Sequence, residues 1–172
     1  MLTKLINKCS YYNAKYLLST SCTSCTSCTS WEYNLNNEAQ KHYLKNNDIE
    51  SANNLYLNAL SNKKGKISGD LNFYYSHFLL NCCENYELSL KYCENAISLS
   101  NMTPPISPSY ILLSTIYALY YNDIDKSKKY FNIAINEICD DNLNSYFKYG
   151  QILNIIGDYK SNIMSMDYAK LI

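Results

Sequence analysis

From Trp31 onward the apolar and polar positions fall into a pattern that returns every 35 to 38 residues. Four segments carry it: Asn47-Asp48-Ile49-Glu50-Ser51-Ala52, Glu84-Asn85-Tyr86-Glu87-Leu88-Ser89, Asn122-Asp123-Ile124-Asp125-Lys126-Ser127 and Gly157-Asp158-Tyr159-Lys160-Ser161-Asn162. Each holds a polar turn, then a large apolar residue, then a small or polar residue three positions later. Ten residues after each large residue stands an alanine, Ala59, Ala96, Ala134 and Ala169, at steps of 37, 38 and 35. The chain has only 8 alanines, and 4 of them share this one phase, which chance placement does not produce.

The spacing inside each unit is helical. After the small residue (Ala52, Ser89, Ser127) a bulky one follows four positions on (Tyr56, Cys93, Phe131), with Met166 at that place in the last unit, and the alanine comes three further. Offsets of four and three keep these side chains on one face of a helix. Small residues on that face let a neighbouring helix approach to the lower end of the ~8–10 Å range of axis separations. The pattern therefore predicts an all-α chain of antiparallel helix pairs, each pair joined by its polar turn. Between pairs, Ser61–Asp70 carries Lys63, Lys64, Gly65, Lys66 and Gly69 and reads as a mobile basic loop. Pro104, Pro105 and Pro108 stop one helix and set up the next. The stretch Tyr110–Tyr121 is apolar nearly all round, as suits a helix buried between neighbours in the middle of an array.

The units resemble the tetratricopeptide repeat (TPR), a helix–turn–helix of about 34 residues. In the fourth unit the matching residues are Tyr146, Tyr149-Gly150, Leu153, Gly157-Asp158-Tyr159 and Ala169. In the third they are Leu113-Ser114, Tyr117, Asp123-Ile124, Ser127, Phe131 and Ala134; in the second, Tyr75-Ser76, Leu79, Tyr86, Ser89 and Ala96; in the first, Ala39, Tyr43, Asp48-Ile49, Ala52, Tyr56 and Ala59. The departures are Asn162, where a small residue is usual, and the polar Asn36 in the first helix. The resemblance implies a short right-handed superhelix, a TPR-like α-solenoid, over residues 32–172. It also implies a concave face carrying Asn37, Lys41, Tyr74, His77, Leu112, Thr115, Lys148 and Gln151, with Ala59, Ala96, Ala134 and Ala169 at the packing positions of the repeat. Some members of the family clamp the carboxylate of heat-shock chaperone tails with bases at set positions. Here Tyr74 and Leu112 stand where that clamp wants polar or basic groups, so a chaperone-tail adaptor is disfavoured.

Residues 1–31 differ from the rest of the chain. They hold Lys4, Lys8 and Lys15 and no acid, while Leu2, Leu5, Ile6 and Cys9 fall on a second helical face. A basic, acid-free, hydroxyl-rich start resembles a mitochondrial transit peptide; a low-complexity tail is the alternative. Three tandem Cys-Thr-Ser units place Cys22, Cys25 and Cys28 at an interval that imitates part of an iron–sulfur motif. A tetrahedral site wants a fourth ligand, and no cysteine follows until Cys82, so repeat expansion explains the run better than a metal or other cofactor.

Composition narrows the function classes. The charge balances at 15 bases against 15 acids, and every base is Lys. A neutral chain without Arg argues against a nucleic-acid binder held by phosphate contacts. Asn at 23 and Tyr at 19 residues fit an AT-rich gene, so no single surface Asn, Lys or Tyr carries functional weight on its own. No catalytic motif is present: His42 and His77 lie in separate repeats, and no glycine-rich phosphate loop, G-x-S-x-G or H-E-x-x-H occurs. No apolar run reaches the ~20 residues that cross a bilayer. The sequence thus predicts a non-enzymatic scaffold or adaptor without a cofactor, binding another protein or a peptide, mitochondrial or otherwise cytoplasmic. The alternatives are a structural subunit or assembly factor of a larger complex, and a helical-repeat RNA-binding protein.

Overall fold

The computed structural model describes residues 31–99 and 107–134, together with Gly150. Among the described residues there are seven helices and no strand. In chain order they are α1 (Trp31–Asn46), α2 (Ile49–Ser61), the one-turn α3 (Lys63–Lys66), α4 (Gly69–Asn81), α5 (Tyr86–Ser98), α6 (Ser107–Leu119) and α7 (Ile124–Asn132). The targeting segment, the Cys-Thr-Ser run and the fourth repeat unit, Ala169 included, lie outside the described residues.

Three helix pairs, α1–α2, α4–α5 and α6–α7, are joined by turns of one geometry. The residue before each cap is left-handed, Asn47 at φ 53°, Glu84 at 51° and Asn122 at 51°. The next N–H reaches back to a carbonyl of the ended helix: Asp48 to His42 at 3.1 Å, Asn85 to Leu79 at 3.0 Å, Asp123 to Tyr117 at 2.9 Å. That bond closes the helix end across six residues, one more than the Schellman motif spans. The same three side chains then cap the following helix. Their Oδ1 atoms accept from the backbone N–H of Ser51 at 3.0 Å, Leu88 at 3.1 Å and Lys126 at 3.0 Å. Each turn therefore satisfies one of the last carbonyls of one helix and one of the first N–H groups of the next.

The small residues mark where paired helices cross. Ser76 and Ser89 exchange hydrogen bonds, each hydroxyl donating to the other's backbone carbonyl at 2.7 and 2.9 Å. Ser114 Oγ and Ser127 Oγ are 3.0 Å apart at the matching place in the next pair. Ala39 and Ala52 hold that place in the first pair, and all six are fully buried. Ala96 and Ala134 have no exposed surface, and Ala59 has 7%. The first helix of each later pair packs on both helices of the pair before it, α4 on α1 and α2, and α6 on α4 and α5. One core cluster gathers Ala39, Tyr56, Leu71, Tyr75 and Phe78; a second gathers Phe73, Cys93, Leu112, Leu113 and Ile116.

Two sequence expectations need correction. The stretch Ser61–Asp70 is not a loose loop. It folds into α3, capped by Asn62 Oδ1, which accepts from Gly65 N at 2.8 Å. Lys64 Nζ lies 4.7 Å from the centre of the Trp31 ring, and Ser68 Oγ donates to Glu32 at 3.1 Å. Gly65 is buried against α2, and a Cβ there would strike the carbonyl of Ala59. The polar Asn36 is not a fault in the first helix. It is 4% exposed, and its Oδ1 accepts the Tyr56 hydroxyl at 2.7 Å. The apolar helix of the third pair ends at Leu119, with Tyr120 and Tyr121 beyond it and exposed.

Candidate functional site

The turn residues Asn47, Glu84 and Asn122 give a common origin for comparing the first helices of the three pairs. Ten residues before the origin stand Asn37, Tyr74 and Leu112; seven before stand Gln40, His77 and Thr115. Lys41 is one position further on, at the place of Phe78 and Ile116. Asn37, Gln40, Tyr74, His77 and Thr115 are half-buried, and Lys41 is exposed. These residues thus hold two matching places, counted from the turn, in α1, α4 and α6. Gln40 belongs to the second place and was missed by sequence reasoning; counting from the left-handed turn residue finds it. Leu112, at 6% exposure, is held in the core beside Phe73 and Ile116. Lys148 and Gln151 lie outside the described residues.

Local bonds hold two of these side chains. His77 Nε2 is 3.2 Å from Asn81 Nδ2, which also donates to the His77 carbonyl at 2.8 Å. The Phe73 ring lies 6.4 Å from that imidazole. Thr115 Oγ1 donates to the Ile111 carbonyl at 2.9 Å, one turn back. These contacts hold the His77 and Thr115 side chains against their own helices.

An open cleft of about 520 Å³ runs along α1, lined by Asn34, Asn37, Glu38, Lys41, His42 and Asn46. One acid and one base stand in it. The His42 ring nitrogen Nδ1 is buried without a hydrogen-bond partner, 4.0 Å from Asp48 Oδ2.

Groups that could do covalent chemistry are held in their neutral forms by burial. Burial pushes the Cys82 thiol up to about 12, with Cys83 beside it adding to the effect, and burial also raises Cys83 and Cys93. A thiol held protonated is a poor nucleophile and a poor metal ligand. Burial raises Tyr75 to about 12 as well, with Tyr92 as the second cause, and raises Tyr56. Among the described residues no group of three or more His, Cys, Asp or Glu is placed to hold a metal ion. Cys22, Cys25 and Cys28 lie outside them. No described helix is long and apolar enough to cross a membrane.

The chain matches no family model and no curated protein. Its role is therefore read from its own geometry.

A second surface feature was invisible in the sequence. Six tyrosines from α5, α6, α7 and the α6–α7 turn form two stacks. Tyr86 and Tyr120 are parallel with ring centres 4.4 Å apart, and Tyr121 meets Tyr120 edge-on at 4.9 Å. Tyr117 stacks on Tyr130 at 5.3 Å, and Tyr110 on Tyr130 at 6.2 Å. Lys126 Nζ stands 5.0 Å over the Tyr117 ring. Of these contacts only Tyr86–Tyr120 joins two pairs, which sequence spacing alone does not bring together; Tyr110, Tyr117 and Tyr130 meet within the third pair.

Proposed function

We propose that the chain is a non-enzymatic scaffold built of TPR-like repeats, working in the mitochondrion, that holds a protein or peptide partner along its first helices. The observation that supports this reading is the recurrence itself. Asn37 and Tyr74, then Gln40, His77 and Thr115, stand at fixed sequence distances from three turns of like geometry, and each is only half-buried. A recurrence of that kind suits a partner read one repeat at a time. The test is affinity capture with the full chain and with Tyr74→Ala, after circular dichroism has shown the variant folded. A partner retained by the parent and lost by the variant supports the reading; partners that ignore Tyr74, Asn37 and His77 alike overturn it.

The second reading, an integral subunit of a larger complex, is favoured by the tyrosine surface. Tyr120 and Tyr121 are 44% and 43% exposed, with Leu88 at 39%. Aromatic residues are enriched in stable interfaces. Size-exclusion chromatography of native extract separates the two: a small species suits capture, and a large stable one suits a subunit.

A further inference from the structure

Lys63, Lys64 and Lys66 crowd three of the chain's 15 bases into the single turn of α3, and outside that turn the chain is net acidic. No acid occurs in the sequence from Ser51 to Gly69, and Asp70, the next one, is buried. Glu32 of α1 comes near and accepts the Ser68 hydroxyl. All three lysines are exposed, and none makes an ion pair among the described residues. Lys126, by contrast, is paired with Asp123 at 3.2 Å. Next to the lysines stands Ile67, 56% exposed, the highest value of any large apolar side chain among the described residues. The fold fixes this arrangement. Gly65 is seated on α2 at the Ala59 carbonyl, and Asn62 caps the turn. Successive helical residues are ~100° apart, so positions 63 and 67 lie about 160° round from Gly65 and face away from α2. An apolar tip among uncompensated lysines is thus held outward on a turn that is both packed and capped.

We propose that this turn is a contact for an anionic lipid surface, entered by Ile67 and held by Lys63, Lys64 and Lys66. Charge and apolarity together select that occupant. Each lysine is drawn to the negative potential of an anionic bilayer, and its methylene stem lets the ammonium stay at the headgroups while a neighbouring side chain goes deeper. Ile67 is that neighbour, one turn on from Lys63 and Lys64. An RNA would ask for arginine forks or an open aromatic face. The turn has no Arg, and the Trp31 ring beside it is half-buried with Lys64 Nζ over its face. An acidic peptide would satisfy the lysines but gives Ile67 nothing apolar to enter. The contact is peripheral and reversible, as suits one side chain and three charges. It stands apart from the partner reading, since none of its residues belongs to the places compared across α1, α4 and α6.

Sedimentation of the full chain with lipid vesicles is the test, at about 150 mM salt, where exposed charges more than ~8 Å away are screened. Phosphatidylcholine vesicles with one-third phosphatidylglycerol should take up at least about tenfold more protein than pure phosphatidylcholine. A lysine at such a surface is worth about fivefold, so Lys63→Gln with Lys64→Gln and Lys66→Gln should lower partitioning roughly a hundredfold. Lys45→Gln with Lys91→Gln and Lys129→Gln removes the same charge from exposed positions on α1, α5 and α7. That control should lower partitioning by less than about threefold. With the charge unchanged, Ile67→Ser should lower partitioning and Ile67→Trp should raise it, each by at least about twofold. Failure of the parent to prefer anionic vesicles overturns the proposal, as does an equal loss in the two triple variants. Loss in the α3 variant with no response to either Ile67 substitution also overturns it, since lysines that read charge alone fit any polyanion, RNA included.

Discussion

Alanine and serine do one steric job at the helix crossings, but only serine adds a bond. At Ser76–Ser89 the two hydroxyls answer each other's carbonyls, so neither is left unsatisfied in a dry contact. At Ala96 and Ala134 there is no room to spare. Ala96→Leu or Ala134→Leu should overpack its cluster and cost roughly 1–3 kcal/mol in urea unfolding; an unchanged midpoint would mean the repeat phase has been misplaced. The thiols make a second prediction at this scale. With their acidities suppressed by burial, Cys82, Cys83 and Cys93 should label with iodoacetamide at pH 7.5 far more slowly than an unstructured thiol, and Cys93 slowest of all. Differential labelling of native against urea-unfolded protein checks the order. The small residues were legible from spacing, because a close crossing tolerates little else. Asn36 was not: a polar side chain inside a helix reads as a fault until its partner is known, and Tyr56 lies twenty residues away.

For the helices, the ends were the most legible part, since an Asp or Asn before a large apolar residue is a capping signal that sequence shows directly. The α3 segment was misread for the opposite reason. Lys and Gly signal a loop, and only tertiary contact turns Gly65 into a packing residue. Gly65→Ala should therefore lower the urea midpoint, although alanine is the better helix former, because the added methyl meets the Ala59 carbonyl. The caps also carry the pH response. The hydrogen bonds from Ser51 hold the Asp48 carboxyl below its ordinary value, and the backbone N–H of Lys126 does the same for Asp123. A carboxyl depressed on folding adds stability above its unfolded pKa, and that stability is lost as pH falls through the folded value. Unfolding below about pH 4 should therefore steepen in the parent and flatten in Asp48→Asn with Asp123→Asn. Asn85 already shows what those variants would be, since its amide caps α5 without titrating.

Across the whole molecule, charge balances, and the residues at the two recurring places are mostly uncharged. A partner held there should lose less than about tenfold in affinity between 50 and 200 mM salt, where a protein tracking phosphates loses ~10³ or more. Tyr74→Ala should weaken it more than Lys41→Ala does, since aromatic anchors dominate such contacts. The reverse order in a titration series would point to an electrostatic ligand such as RNA. The pairing of helices, legible from the repeat, also sets a limit on how the chain can assemble. The second and third pairs close on the same lock, serine against serine thirteen residues apart. The first closes on alanine against alanine. Two locks that share an Oγ–Oγ contact in one chain can be crossed: α4 of one molecule can accept α7 of another through the same pair of hydroxyls. The first pair is exempt, because a serine brought against Ala39 or Ala52 would lose its partner. Exchange between molecules during refolding at high concentration should thus involve α4 to α7 and spare α1 and α2, so the chemical sameness that makes the repeat also marks where its copies can be confused.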